Sequence, residues 1–175
     1  WINIKSDPRL NISNKSIEES YESAKNIENM IKIVFEASNQ LAKSLIIVKD
    51  FEKLLSKEDT LKFKNETKLN SEISKKIIKA QDLFFGKEDE RQGIIRSPNE
   101  TVLSRIRKAY YYSVSRPNGL TKTEKILIKQ AKDQLKSALD SVNILFERDW
   151  SKYKLEMEEI NISPFKSVKK FNINY

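Results

Sequence analysis

The sequence predicts an all-α protein: an up-down-up-down four-helix bundle with two long and two shorter helices and an extended N-terminal lead-in. Three observations predict it. Apolar residues recur at spacings of three and four along most of the 175 residues. Only 3 glycines and 4 prolines interrupt the chain, too few for the reversals of a β fold. Helix-start and helix-stop signals fall at the ends of the periodic stretches. The expected organisation is a lead-in from an upstream domain over residues 1–12, a bundle over 13–162 and a tail over 163–175. The first residue is Trp1 rather than Met, which suggests a processed product or part of a longer protein.

In the lead-in, "WINIKSDPRLNIS", Trp1, Ile2 and Ile4 alternate with polar residues up to Pro8, as in an extended segment. A helix should begin near Ser13 or Ser16, where Ser16 and Glu19 have the spacing of a capping box. Its stripe is Ile17, Ala24, Ile27, Ile31, Val34, Leu41, Leu45, Val48 and Leu55, with Ser38 and Glu52 at the skipped positions. Those ~40 residues make a helix of roughly 60 Å. The charged stretch "SKEDTLKFKNETK" follows and bends or breaks the chain. A second helix carries Leu69, Ile73, Ile77, Ala80 and Phe84 and stops at Gly86. The segment "GKEDERQGIIRSP" is irregular, and "SPNE" predicts a third helix with Ser97 as N-cap, Pro98 in its first position and Glu100 completing the box.

That third helix contains "RIRKAYYYSVSRPNG", in which basic residues run into three consecutive tyrosines. Such interleaving resembles a single-stranded nucleic-acid platform. Leu103, Ile106, Tyr110 and Val114 share a face, so Tyr110 is expected inward, with Arg105, Lys108 and Tyr112 opposite. Successive tyrosines point 100° apart on a helix and cannot form one stacking surface. A fourth helix starts with the box Thr121–Glu124, runs through Ile128, Ala131, Leu135, Leu139, Val142, Phe146, Trp150, Tyr153, Met157 and Ile160, and stops before Pro164.

With no Cys and no His, the chain has no thiol nucleophile, imidazole base or zinc-finger ligand set, and no Glu-x-x-His di-iron motif. The acidic pairs Glu18/Glu19, Glu58/Asp59 and Glu158/Glu159 and the run Glu88–Glu90 diverge beside lysines and read as surface charge. Three glycines cannot build a phosphate loop. Trp150 and Tyr153, three apart on an apolar stripe, read as core rather than as a sugar platform. Five Asn-x-Ser/Thr sequons, at Asn11, Asn14, Asn65, Asn99 and Asn161, fit chance in a chain so rich in these residues. No catalytic, metal-binding or cofactor-binding residue is therefore assigned.

The net charge is +8, from 33 basic and 25 acidic residues, but lysines spread among glutamates suit a solvated surface better than phosphate recognition. No apolar run is long enough to span a bilayer. The candidate interaction residues are Arg91, Gln92, Ile94 and Ile95 of the loop between the second and third helices, with Arg105, Lys108, Tyr112 and Arg116.

Two stretches together resemble a known family. "IKSDPRLNISNKSIEESYESAKNIENMI", with Asp7-Pro8-Arg9 ahead of a Ser-capped helix, resembles the start of the C-terminal helical domain of bacterial sortilin-like β-propeller proteins, often labelled glycosyl hydrolases with BNR (Asp-box) repeats. The helix starts at Ser97-Pro98 and Thr121, then "LKSALDSVNILFERDWSKYKLEMEEINISPF", fit the same pattern, with Asn143 and Phe165 in the places of the family's helix Asn and C-terminal apolar segment. Residues 56–96 do not match. The resemblance implies a non-catalytic accessory module of an exported bacterial protein, in the periplasm, at the cell surface or secreted. Its partner would be its own upstream propeller or another protein, and any hydrolase-like activity would reside in the propeller. The alternative from composition is a stand-alone basic bundle binding nucleic acid or an anionic surface.

If both long stripes are core, Leu45→Ala and Leu135→Ala should each cost about 2–5 kcal/mol in denaturant unfolding, whereas near-wild-type melting of both would contradict the bundle.

Overall fold

Asn14 to Leu55 form one uninterrupted 42-residue helix, α1, in the computed structural model, which describes residues 12–57, 62–87, 100–115 and 119–160. Ser13 is its N-cap: the backbone is extended there and Oγ accepts the Ser16 amide at 3.1 Å. This corrects the expected box, because Ser16 is already helical and Glu19 pairs with Lys125. The buried line is Ile27, Met30, Val34, Leu41, Ser44, Val48 and Leu55. It matches the predicted stripe from Ile27 onward, whereas Ile17 is exposed.

Helix α2 (Lys64–Phe85) buries Asn70, Ile73, Ile77, Ala80 and Phe84. It ends at Gly86, whose φ of +83° favours glycine, and a Cβ there would stand 3.0 Å from Thr101 Cγ2. Helix α3 (Val102–Val114) therefore starts beside the end of α2. Its N-cap is Thr101, whose Oγ1 accepts the Ser104 amide at 3.1 Å. The box expected at Ser97–Glu100 is corrected accordingly: Glu100 precedes the helix, while Ser97 and Pro98 lie outside the described residues.

The facing of α3 is a second correction. Its buried residues are Val102, Leu103, Ile106, Ala109 and Ser113, while Tyr110 and Val114 are 38% and 52% exposed. α3 packs against both α1 and α4, and small side chains at 109 and 113 admit that close approach. The spacing 103, 106, 110, 114 is equally compatible with an inward Tyr110, but Ala109 and Ser113, one position earlier, are the residues small enough to lie between the two neighbouring helices. The Ser113 hydroxyl is satisfied within the helix, donating to the Ala109 carbonyl at 2.7 Å.

Helix α4 (Lys122–Ile144) opens with the predicted capping box, Glu124 Oε2 accepting the Thr121 amide at 2.8 Å. It continues without a break through a π-helical segment, Leu145–Trp150, into α5 (Ser151–Glu158). Buried residues in α4 follow 131, 135, 138, 142 and 145, which would continue at 149 and 152, but α5 buries Tyr153 and Met157 instead. The wider π turn takes up one extra residue and rotates the downstream stripe by that amount. Ser151 Oγ donates to the Phe146 carbonyl, five residues back, at 3.1 Å.

The path of the chain follows from these contacts. α1 runs up, α2 runs back down its upper half, and α3 continues downward along the lower half. A Cβ at Gly119 would lie 2.9 Å from Ser16 Cβ, so the α3–α4 connection sits at the foot of α1. From there α4 rises beside α1, from the Lys125–Glu19 pair to Phe51 and Tyr153, whose rings meet edge to face at 6.2 Å. The order is up, down, down, up, which corrects the expected up-down-up-down bundle. α2 and α3 span about 33 and 20 Å, so only in series do they cover helices of some 55–65 Å. The all-α class and the four helical runs stand as expected, with no strand among the described residues. The lead-in up to residue 11 and residues 161–175 lie outside the described residues.

Enlarging the buried small residue should hurt more than trimming the exposed ring. Ala109→Leu should lose about 1–3 kcal/mol by overpacking, and Tyr110→Ala no more than about 1 kcal/mol, in parallel urea melts.

Candidate functional site

Of the candidate interaction residues, Arg91, Gln92, Ile94, Ile95 and Arg116 lie outside the described residues. Arg105 and Lys108 are brought together, but on a carboxylate of the same chain. Arg105 Nη2 lies 2.9 Å from Glu100 Oε2 and Lys108 Nζ 3.5 Å from Glu100 Oε1. Arg105 also donates to Gln130 at 3.5 Å, and Gln134 Nε2 donates to the Glu100 carbonyl at 2.9 Å. These bonds tie the start of α3 to α4. Arg105 Nε and Gln134 Oε1 are buried in this clasp without a hydrogen-bond partner. The pair therefore serves the fold first.

Tyr112 is open, as expected, and it is not alone. Tyr110, Tyr111 and Tyr112 are 38%, 66% and 44% exposed, and the Tyr111 and Tyr112 rings meet edge to face at 5.7 Å. The touching Tyr111 and Tyr112 rings make an aromatic patch on α3, with exposed Arg107 one turn before Tyr111, while Tyr110 and Val114 are exposed about 100° further round the helix. Tyrosine and arginine are the residue types that anchor protein interfaces, because a rigid ring gives large contact area at little entropic cost. The sequence reading missed Tyr110 here through the facing error described above.

A lysine line runs along α4. Lys122, Lys125, Lys129, Lys132 and Lys136 are all exposed and repeat at spacings of 3, 4, 3 and 4, so they share one side over about 21 Å. Lys125 pairs with Glu19, and the other four make no ion pair with the described residues. Asp133 and Asp140 lie along the same helix and offset part of this charge.

Between α1 and α4 lies an open groove of about 370 Å³. Its apolar lining includes Ile33, Ala37, Leu139, Val142 and Phe146, and its polar lining is Glu36, Gln40, Asn143 and Glu147. Aromatic rings continue upward from Phe146 to Trp150 at 6.1 Å and from Trp150 to Tyr153 at 5.3 Å. Trp150 and Tyr153 pack as expected with the core, half-buried and buried.

Above the groove is the most deeply buried polar pair. Tyr153, 1% exposed, donates its hydroxyl to Asn70 Oδ1 at 2.6 Å. Burial pushes the Tyr153 phenol well above its ordinary value, so it stays protonated and able to donate. The signal for Asn70 was present in the sequence, a polar residue three before Ile73 and seven before Ile77 on an apolar stripe. In the π segment, Arg148 and then Lys76 (Nζ at 3.0 Å) hold the Asp149 carboxyl below its usual range. That contribution is present above the unfolded carboxylate pKa and is lost as pH falls through the lowered one.

No group of three or more potential metal-ligating side chains occurs among the described residues, and none of their helices is long and apolar enough to cross a membrane. No known protein family, curated protein or solved structure matches the chain.

Tyr153→Phe should cost about 1–3 kcal/mol by leaving Asn70 Oδ1 buried without its donor. Unfolding monitored against pH supplies the sign. The unfolded phenol ionises near pH 10 and the folded one does not, so wild-type stability falls as pH rises beyond about 10. The gap between wild type and Tyr153→Phe should narrow there.

Proposed function

We propose that the chain is a non-catalytic helical interaction module of an exported, sortilin-like β-propeller protein, docking on its own upstream propeller or on another protein. The observation that carries this reading is the open tyrosine surface of α3, where Tyr110, Tyr111 and Tyr112 stand exposed on 13 residues of helix. Exposed aromatics grouped this way mark protein-binding surfaces. The resemblance supplies the partner class: the Asp7-Pro8-Arg9 segment, the helix capped by Ser13, the helix start at Thr121 and Asn143 stand in the order that family uses. Docking would bury the rings, while the lysines supply solubility and steering.

A second reading rests on the α4 lysine line, which suits nucleic acid or another anionic surface. Salt separates the two. Affinity for nucleic acid falls with log salt at a slope of about −0.9 per phosphate neutralised on a duplex. Ring burial responds weakly.

The test is calorimetric titration of the chain with the propeller of its parent protein, at low and at physiological salt. The Tyr111→Ala/Tyr112→Ala variant should bind about 2 kcal/mol more weakly, roughly thirtyfold, with its melting temperature kept. Unchanged affinity in that variant, or an affinity abolished by salt and by Lys129→Gln/Lys132→Gln/Lys136→Gln, would turn the assignment to the anionic reading.

A further inference from the structure

The outward side of α1 and α4 is the one long face of the bundle that no other described helix covers, since α2 and α3 pack on the remaining sides of α1 and α3 closes on α4. Charge divides this face into two halves. The upper half is the groove, with an apolar floor and two charged lining residues, Glu36 and Glu147, both acidic. The lower half carries the exposed α4 lysines. Lys132 lies two turns below the groove residue Leu139 and within about 20° of it around the helix, and Lys136 lies between them. Glu36 is within 3.9 Å of exposed Lys32, whereas Glu147, Lys132 and Lys136 make no ion pair with the described residues.

The two halves are complementary in position as well as in sign. α1 and α4 rise in step: Glu19 pairs with Lys125 near the foot, and Ala37 and Asn143, each the same number of residues further on, line one groove. Glu36 therefore stands level with Val142, and Ile33 level with Leu139. Consider a two-fold axis lying in this face midway between the levels of Leu139 and Asp140, which sets a second copy antiparallel on the first. Lys132 of one copy is then level with Glu147 of the other, each about 11 Å from the axis, and Lys136 is within about 1.5 Å of the level of Glu36. A single register satisfies both pairs. The same axis brings the half-buried Leu139 and Ile33 against their own copies, so an apolar centre is flanked by charge pairs. Asp140, near the axis, has Lys136 one turn away on its own helix, and Asp133 is turned about 100° from Lys132. From Lys122 to Glu147 the face is about 38 Å long and two helix diameters wide, roughly 750 Å², close to the ~800 Å² that each partner gives to a stable interface.

We infer that the α1–α4 face binds a second copy of this chain in an antiparallel two-fold dimer, with Lys132 and Lys136 of each copy against Glu147 and Glu36 of the other. Each copy supplies both halves of the interface, so the contact closes on itself and does not propagate. The α3 tyrosines lie on the other side of α1 and α4 and stay open in the dimer, which would present two tyrosine surfaces to a partner.

Sedimentation equilibrium of the full chain over a range of concentrations, with two charge-reversed variants, tests this. The wild type should reach twice the 20.5 kDa of one chain and go no higher. Lys132→Glu/Lys136→Glu makes all four positions acidic and Glu36→Lys/Glu147→Lys makes all four basic, so each variant alone should dimerise at least tenfold more weakly, with its helical circular dichroism kept. An equimolar mixture of the two should recover a one-to-one heterodimer within about threefold of the wild-type affinity, because every pair across the interface is then again of opposite sign. A wild type that stays monomeric, or that grows past the dimer with concentration, overturns the inference. So does undiminished dimerisation of either variant alone, or a mixture that fails to associate.

Discussion

A helix of 42 residues with an apolar stripe along most of its length cannot stand alone in water, and the arrangement of the other helices follows from the need to cover α1. Burial of that stripe requires partners of comparable length. α4, the π segment and α5 provide one as a continuous run from Lys122 to Glu158. α2 and α3 are each too short, so they stand end to end and share the task, meeting where Gly86 and Thr101 come together. The chain reverses only twice, although it breaks three times.

The same demand accounts for the irregularities. In the lower half, α3 has to fit between two long helices, and its buried side is finished by Ala109 and Ser113 rather than by larger residues. The tyrosines are thereby left in the open. In the upper half, the π turn at 145–150 rotates α5 so that Tyr153 reaches Asn70 on α2 and the edge of Phe51 on α1. A regular helix would direct position 152, a lysine, into that place. A buried phenol and amide satisfy each other there, which specifies a single register for the upper end without leaving a polar atom unpaired.

These features divide the surface into regions with different chemistry. The α3 tyrosines are aromatic and exposed, the α4 lysines are basic and, Lys125 apart, make no ion pair with the described residues, and the α1–α4 groove is apolar with acidic edges. Burial where α5 meets α2 raises the Tyr153 phenol, and the neighbouring Arg148, then Lys76 of α2, lower the Asp149 carboxyl. The module reading thus draws on what the surface displays, while the polar groups inside serve the fold.

The sequence by itself determined where most helices are and where several of them start or stop. Thr121 with Glu124 begins α4, Gly86 ends α2, and the stripe from Ile27 to Leu55 faces inward, because capping and periodicity depend on residues within one or two turns of each other. It also showed an Asn on the α2 stripe, although not what would satisfy it. Tertiary structure alone decided the direction of α3, the inward side of that helix, the extra residue in the π turn and the partner of Asn70. Each depends on which helix lies opposite and how closely it approaches, and no periodicity within a single helix records that distance. Arg105 and Lys108 show the same division: their basic character was legible, but Glu100 became their partner only because α3 starts four residues later than its proline suggested.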